Sequence, residues 1–182
     1  MIGPAGTAGL HATAVIYGES GVLILGPSGS GKSALALALI ARAREGGTFG
    51  ALIGDDRIYV RHDHGRLVAC GATDMAGVIE RRTVGLLEAP SEPAGVVRLA
   101  VELSERPGQW ARMPADHEGV TIVGVKLPQL ALDCGLSACD QALAVEERLG
   151  VLAAQNSDRA RISLEHSAAV HKNGRPEISP PA

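Results

Sequence analysis

The chain has 182 residues, a formal net charge of −3 and an aromatic content of 2%. This length supports one α/β domain with an aliphatic core. The scarcity of aromatic residues argues against nucleic-acid modules that stack bases, and the slightly negative charge gives no long-range attraction to nucleic acids or anionic membranes. No apolar run approaches the ~20 residues that cross a bilayer, and the N-terminus lacks the basic-then-apolar order of a signal peptide, so we expect a cytoplasmic location.

The first predicted elements are two adjacent strands. Residues 1–9 are mostly small and are expected to form a flexible N-terminus. Residues 10–17 alternate in the manner of a strand, and a turn at residues 18–21 leads into a short apolar strand that ends at residue 25. His11 is therefore expected beside the strand that precedes the next motif. A single histidine in a strand is more often structural than functional, so the pattern alone leaves its role open.

The next eight residues fit the phosphate-loop pattern G-x-x-x-x-G-K-[ST] at every fixed position. A helix-forming stretch follows the loop, so the strand, loop and helix come in the required order. Glycines let the backbone approach a phosphate, Lys32 can reach the β- and γ-phosphates, and the Ser33 hydroxyl can ligate magnesium. A glycine-rich turn that binds nothing is the alternative, and the flanking elements argue against it. The predicted nucleotide-binding residues are Gly26, Pro27, Ser28, Gly29, Ser30, Gly31, Lys32 and Ser33.

Two carboxylates follow the next predicted strand. The helix after the loop is predicted to end near residues 44–47, and residues 50–54 then form a strand that ends in Asp55 and Asp56. We expect this strand to be parallel, so that the pair lies at the sheet edge where α/β proteins bind ligands. Adjacent aspartates are also ordinary turn residues. With a phosphate loop one helix upstream, an acceptor-orienting base or a metal ligand is the favoured interpretation.

The second half of the chain offers one further candidate pair. Glu80 and Arg82 alternate in an apolar segment, where they could bind magnesium and phosphate or form a surface salt bridge. Other predicted elements are a hairpin at residues 58–70, strands at 96–103 and 120–128, the latter broken by Pro128, and a helix at 137–149. We expect the main domain to span residues 10–155. A polar C-terminal segment, residues 156–182, is expected to be partly disordered.

The ordered set of motifs in residues 10–128 resembles the catalytic domain of the HPr kinase/phosphorylase family, in particular short versions without the family's N-terminal domain. The resemblance rests on four features: the strand carrying His11, the phosphate loop, the Asp55-Asp56 pair, and a segment similar to the family's E-x-R-G-x-G signature, namely Glu80-x-Arg82-x-x-Gly85. Thr83 stands where that signature has glycine. The implied fold is a P-loop kinase domain with a mixed, mainly β central sheet and flanking helices.

The resemblance also implies roles for the site residues. The loop would bind ATP, with Lys32 catalytic and Ser33 and Glu80 holding Mg²⁺, while Arg82 would support the nucleotide site. Asp55 and Asp56 would supply the acid/base group that acts on an acceptor serine or, in reverse, on inorganic phosphate, and which of the two does so stays open. His11 would lie at the phosphates.

The implied activity is an ATP-dependent serine kinase, with an additional phosphorylase activity, acting on the phosphocarrier protein HPr and regulating the phosphotransferase system and carbon metabolism. A homo-oligomer is implied too, since longer relatives are hexamers. Two other functions share the loop: a small-molecule kinase or generic P-loop NTPase, and an ATP-sensing regulatory module that transfers no phosphate.

Overall fold

The computed structural model describes residues 7–105 and 119–172, with side-chain surroundings up to residue 158. Within these ranges the two helices are α1 (Lys32–Glu45) and α2 (Ala138–Lys172), and a short 3-10 turn lies at Thr73–Met75. The strands are β1 (Ala8–Leu10), β2 (Thr13–Tyr17), β3 (Ser20–Leu25), β4 (Gly50–Gly54), β5 (Ile58–Asp63), β6 (Arg66–Gly71), β7 (Val78–Arg81), β8 (Gly85–Glu88), β9 (Ala94–Ser104), β10 (Gly119–Ile122) and β11 (Val125–Asp133).

One large sheet organises the fold, with the strand order β1-β5-β6-β9-β3-β2-β4. β11 also pairs with β9, and β10 pairs with β11, while β7 and β8 form a separate hairpin. The β3–β9 and β9–β11 pairs are parallel and the other pairs in the sheet are antiparallel. The predicted fold class, a mixed and mainly β sheet with flanking helices, is confirmed.

The core is aliphatic, as the composition predicts. Helix α1 buries apolar residues three or four positions apart, the spacing of one helical face, and it contacts β2 and β4. The largest fully buried side chains are Leu23, Ile24, Leu35, Leu39, Leu52, Ile58, Leu67, Ile79, Leu99, Leu103, Val15 and Val22. Burying a single leucine or isoleucine side chain of this kind contributes about 1.5–3 kcal/mol.

β2 lies between β3 and β4 and pairs antiparallel with both. The prediction that β4 is a parallel strand is therefore wrong with respect to its neighbour. Two antiparallel steps nevertheless leave β3 and β4 pointing in the same direction, so their carboxyl ends share one edge of the sheet. The phosphate loop after β3 and the aspartates after β4 consequently meet at that edge.

Two element boundaries differ from the predictions for identifiable reasons. The predicted strand at residues 10–17 is interrupted after Leu10, because β1 pairs with β5 whereas β2 pairs with β3. Pro128 does not end its strand, since β11 continues to Asp133. The proline pairs with Gly119 at the end of the β10 ladder, and the β9 ladder begins one residue later, at Gln129. A residue without an N–H is tolerated where a strand changes partner.

The chain divides into two compact units, one reaching Glu146 and the other starting at Glu147. α2 continues to Lys172 and so includes part of the segment expected to be polar and partly disordered. Residues 1–6 and 173–182, on which the remaining terminal expectations fall, lie outside the described residues, and the expected domain bounds stay predictions. In the part of the chain that the structure describes, no helix is long and apolar enough to cross a membrane.

A polar cluster in the first unit joins β2, α1 and α2. The Tyr17 hydroxyl donates to Glu146 Oε1 at 2.7 Å, and Arg42 Nε donates to Glu146 Oε2 at 2.8 Å. Burial raises the pKa of Tyr17 to about 12, and the hydrogen bond to the Glu146 carboxylate adds to this shift. The two hydrogen bonds also lower the pKa of Glu146. The neutral phenol is therefore the form that fits the folded protein.

Tyr17→Phe should reduce the free energy of unfolding by about 1 kcal/mol at pH 8, because one hydrogen bond to a carboxylate is lost. Since the folded pKa of Tyr17 lies above its ordinary value of 10.0, its contribution is complete below pH 10 and disappears as the pH rises to 12. Urea denaturation between pH 8 and 11.5 checks both points. Tyr59→Phe is the control, and its free energy of unfolding should fall with rising pH as that of the wild type does. If the free energy of unfolding of Tyr17→Phe fell by the same amount over this pH range, the assignment would be contradicted.

Candidate active site

The phosphate loop has the backbone that its glycines predict. Gly26, Gly29 and Gly31 have φ angles of 144°, 84° and 97°, a region that side-chain-bearing residues rarely adopt. A Cβ atom on Gly26 would also lie 2.7 Å from the carbonyl oxygen of Leu103. Gly31 caps α1, and its carbonyl accepts the N–H of Leu35 at 2.9 Å. The loop therefore passes directly into a helix N-terminus, which suits an anion.

Other loop positions differ in exposure. Pro27 and Ser28 are exposed, whereas Ser30 is 7% exposed, and its hydroxyl has no hydrogen-bond partner among the described residues. The backbone N–H of Ser30 donates to the carbonyl of Pro27 at 3.2 Å. The loop is thus exposed at Pro27 and Ser28 and leads into the start of α1, where the first backbone N–H groups have no intrahelical partner and suit nucleotide phosphates.

Lys32, the first residue of α1, folds back over the loop. Its Nζ donates to the carbonyl oxygens of Gly26 at 3.0 Å and Pro27 at 2.9 Å, and lies 3.4 Å from His11 Nε2. Burial lowers the pKa of the Lys32 ammonium, and the negative charges of Asp55 and Asp56 oppose part of that shift. The three N–H donors of the ammonium are thus all occupied in this conformation.

Asp55 is a buried carboxylate that collects hydrogen bonds from three elements. Thr13 Oγ1 donates to its Oδ1 at 2.6 Å, and the Ser33 hydroxyl lies 3.1 and 3.0 Å from its two oxygens. The backbone N–H of Glu80 donates to Oδ2 at 3.3 Å. Asp55 therefore ties the start of α1 to β2 and β7, and its oxygens are already engaged by donors.

Thr13 is the site residue that the sequence analysis missed. It is fully buried on β2, and the hydrogen bond to Asp55 joins residues 42 positions apart. A threonine in a strand is ordinary by propensity, so no local pattern marks it. The one sequence signal for Thr13 was a hydroxyl-bearing residue at a strand position where the period-two pattern predicts an apolar side chain.

Thr13→Val should lower the free energy of unfolding by about 1–3 kcal/mol, because it leaves a buried carboxylate oxygen without one donor. Valine has nearly the shape of threonine, so little of the loss would come from packing. Urea denaturation followed by circular dichroism measures the change. Thr13→Ser retains the hydroxyl and should recover part of the loss; equal stabilities for the valine and serine variants would contradict the role assigned to the hydroxyl.

His11 and Asp56 form the exposed half of the site. His11 Nδ1 lies 2.8 Å from Asp56 Oδ1, and the two side chains are 52% and 75% exposed. Since Nε2 faces the Lys32 ammonium, which only donates, the contacts favour the tautomer with its proton on Nδ1. Asp56 itself has a left-handed φ of 64°. Asp56, His11 and Lys32 are thereby linked in a row along the loop.

Glu80 and Arg82 lie on the β7–β8 hairpin, and β7 contacts α1. Glu80 joins the site through its backbone bond to Asp55, while its side chain is exposed. Arg82 lies against the loop, since a Cβ atom on Gly29 would be 3.0 Å from its Nη2. The structure therefore brings the guanidinium to the loop and leaves the Glu80 side chain exposed on the hairpin.

Thr83, which replaces the glycine of the family signature, keeps the backbone that glycine would adopt. Its φ is 69°. A β-branched residue in this left-handed region is strained by about 1–2 kcal/mol. The turn that contains Arg82 is therefore less stable than it would be with glycine at position 83.

The residues at this site fit a magnesium ion that is bound together with a nucleotide. Hydroxyl and carboxylate oxygens of Ser33, Asp55 and Glu80 are hard donors of the type that Mg²⁺ prefers, and Mg²⁺ commonly takes one or two protein ligands with phosphate oxygens and water completing its shell. Among the described residues no cluster of three or more histidine, cysteine or acidic side chains could hold a metal by itself. Such a sparse donor set suits a nucleotide-bound ion better than a structural metal.

The sequence model of the HPr Serine kinase C-terminal domain family matches residues 5–138. The HPr kinase/phosphorylase of Geobacillus kaustophilus is 31% identical over 181 residues, which cover 89% of this chain and 56% of the relative. That of Bacillus licheniformis is 30% identical over 137 residues, covering 69% and 42%. The chain thus spans about half the length of the curated relatives it matches.

The fold has a solved counterpart. The structure of the Hpr(Ser) kinase/phosphatase from Coxiella burnetii aligns with a TM-score of 0.63 at 23% identity, covering 87% of this chain and 99% of that chain. The likeness confirms the P-loop kinase fold predicted from the motifs. The phosphate loop, both aspartates and the β7–β8 hairpin all fall within the range that the family matches, and the chain belongs to the HPr Serine kinase C-terminal domain family.

Proposed function

We propose that the protein is an ATP-dependent serine kinase that uses Mg²⁺ and phosphorylates HPr, the phosphocarrier protein of the sugar phosphotransferase system, and so regulates carbon metabolism. The observation that carries the proposal is the linkage of the exposed Asp56 carboxylate to the loop lysine through His11. In this arrangement Asp56 would serve as the proton acceptor and Lys32 as the phosphate-binding cation, both at the same edge of the sheet. Membership of the family and the names of the relatives support the same activity.

The two aspartates differ in a way that suits separate roles. Asp55 is buried and engaged by Thr13 and Ser33, so its oxygens are poorly placed to receive a proton from an acceptor. Asp56 is exposed and has room for a further partner. We therefore assign Asp56 as the base, with Asp55 positioning the Ser33 hydroxyl and the metal-binding side of the loop.

In the proposed reaction, Asp56 takes the proton of the acceptor serine as the serine oxygen attacks the γ-phosphorus. The bond from the γ-phosphorus to the bridging oxygen breaks, and ADP leaves. Lys32 and the loop N–H groups stabilise the negative charge on the transferring group, and Arg82 adds a second cation. Bound Mg²⁺ would neutralise phosphate charge, with Ser33 and Glu80 as its protein ligands. His11 orients Asp56 and contacts the Lys32 ammonium, which binds the phosphates.

An extended surface beside the base favours a protein acceptor over a small molecule. In the described part of the chain, Asp56 and His11 lie at an open edge, and the β7–β8 hairpin next to the loop exposes Val84 and Leu86 by 60% and 66%. Small-molecule kinases need a concave pocket that buries most of the substrate. A folded partner that presents a serine on a loop fits the open edge better.

The direct test is incubation with γ-labelled ATP, Mg²⁺ and purified HPr. Label is expected on an HPr serine, and it should be lost when that serine is replaced by alanine. Label that reaches only a small molecule would favour the small-molecule kinase. ATP binding without any turnover would favour the sensing module, and either outcome would overturn the proposal. The reverse reaction is measured by adding inorganic phosphate and phosphorylated HPr.

The homo-oligomer and the cytoplasmic location stay predictions. Sedimentation velocity measures the first, and fractionation of cells that express the protein measures the second. A monomer would separate this chain from the hexameric longer relatives without affecting the phosphoryl-transfer assay.

A further inference from the structure

A gap in the main sheet forms a small basic pocket away from the phosphate loop. β6 pairs with β9 as far as the Leu67–Val97 partners, and β11 pairs with β9 from Gln129–Ala100 onward. Because β3 occupies the other side of β9, β6 and β11 must lie end to end on the same side. Between these two ladders, Arg98 and Leu99 of β9 have no paired residue on that side. The cavity at this place measures about 190 Å³.

Three cations line the cavity, one from each strand: Arg66, Arg98 and Lys126. Their chain neighbours Leu67, Val97, Val125 and Leu127 all belong to one buried core cluster. The three cations are exposed whereas these neighbours are buried, so the cations share the opposite face of the sheet. Extending the Leu67–Val97 register by one residue places Arg66 directly across from Arg98.

This arrangement concentrates positive charge. Within residues 7–105 and 119–158, none of the three cationic side chains makes an ion pair or a side-chain hydrogen bond. Asp63, the register partner of Arg66 on β5, is engaged by Arg61 and His64. Like charges directly opposite each other destabilise a sheet. A bound anion would remove that repulsion, and two arginines present the planar donors that match phosphate oxygens.

The size of the cavity limits the occupant. Pockets for drug-sized ligands measure about 300–1,000 Å³, so a cavity of about 190 Å³ is too small for a nucleotide. Val22 of β3 pairs with Leu99, and the phosphate loop begins four residues later, about 13 Å along the strand. The pocket is therefore outside the proposed transfer site, although β9 borders both.

We propose that the pocket formed by Arg66, Arg98 and Lys126 is a second anion site, which binds one phosphate group, either inorganic or in a phosphomonoester. The apolar residues around it supply a floor, and the three cations supply the charge. This site is independent of the kinase activity proposed above.

The test is calorimetric titration of inorganic phosphate into the full chain, with Mg²⁺ and a non-hydrolysable ATP analogue present in excess so that the loop is filled. One saturable site is expected, and Arg98→Gln combined with Lys126→Gln should weaken it about tenfold or more. Arg44→Gln, an exposed arginine on α1, is the matched control and should bind as wild type does. Each single variant is measured too, in case the double variant fails to fold.

A second titration with glycerol phosphate distinguishes the two sources of the phosphate group. Tighter binding of the ester would identify a phosphomonoester ligand, and tighter binding of inorganic phosphate would identify the free ion; both support the site. Absence of saturable binding, or equal affinities in wild type and all pocket variants, would overturn it. A failure of the HPr assay would leave this result unaffected, because the titration requires no phosphoryl transfer.

Discussion

Asp56→Asn should reduce the rate of HPr phosphorylation by about 10²- to 10⁴-fold, the range that general-base catalysis contributes. Asparagine keeps the size of the side chain but cannot take the acceptor's proton. The exposed position of Asp56 means that folding should not change, and the affinity for ATP should stay within about twofold of wild type because the loop donors remain. Single-turnover transfer from labelled ATP, with nucleotide binding measured separately, checks both quantities.

Two comparisons make this result specific to the base. Asp74→Asn changes an exposed carboxylate in the short 3-10 turn and should leave the rate unchanged. Asp55→Asn should instead lower stability and magnesium-dependent nucleotide binding, since its oxygens hold Thr13 and Ser33. The assignment of the two aspartates would be reversed if Asp55→Asn slowed transfer without weakening nucleotide binding and Asp56→Asn transferred phosphate at the wild-type rate.

Lys32→Met should lower the transfer rate by about 10²- to 10³-fold, comparable with the loss of one preorganised donor at a developing charge. Methionine fills a similar volume, but it removes the cation from the phosphates and takes one donor from each of the Gly26 and Pro27 carbonyl oxygens, of which Pro27 keeps the Ser30 N–H. The rate is measured under single-turnover conditions, with saturating ATP so that weaker binding does not obscure the effect on transfer.

Arg44→Met is the matched control for this substitution. It removes an exposed cation from the same helix, α1, and should leave basal transfer to HPr unchanged. A fluorescent ATP analogue should bind Lys32→Met more weakly than wild type. A Lys32→Met protein that transfers phosphate at the wild-type rate would exclude the loop as the transfer site, even if ATP still bound there.

Local sequence signals predicted the loop and the nearby aspartates because both are short runs with fixed spacing. The strand, glycines and helix around Lys32 depend on neighbouring residues, so the pattern contains the necessary information. His11 lies in the break between β1 and β2 and not within a strand as predicted, but its position beside the loop could be anticipated, because a short turn joins β2 to β3. The resemblance to the family then supplied the roles, and the family match confirmed that resemblance.

Contacts between distant residues could not be predicted in this way. Thr13 meets Asp55 across 42 positions and Tyr17 meets Glu146 across 129, and neither pair has a local pattern. The antiparallel neighbour of β4 depends on the order of strands in the sheet, and the continuation of β11 through Pro128 depends on its change of partner. Such features are set by tertiary pairing, which overrides local propensity.

The left-handed Thr83 has a consequence for hydrogen exchange. Strain of about 1–2 kcal/mol in the turn lowers the free energy of opening the β7–β8 hairpin by a similar amount, because opening releases it. Amides of this hairpin should therefore exchange faster than those of β9, and Thr83→Asn, which tolerates the left-handed region better, should slow them. Arg82 belongs to the same turn, so each opening of the hairpin should also withdraw its guanidinium from the loop.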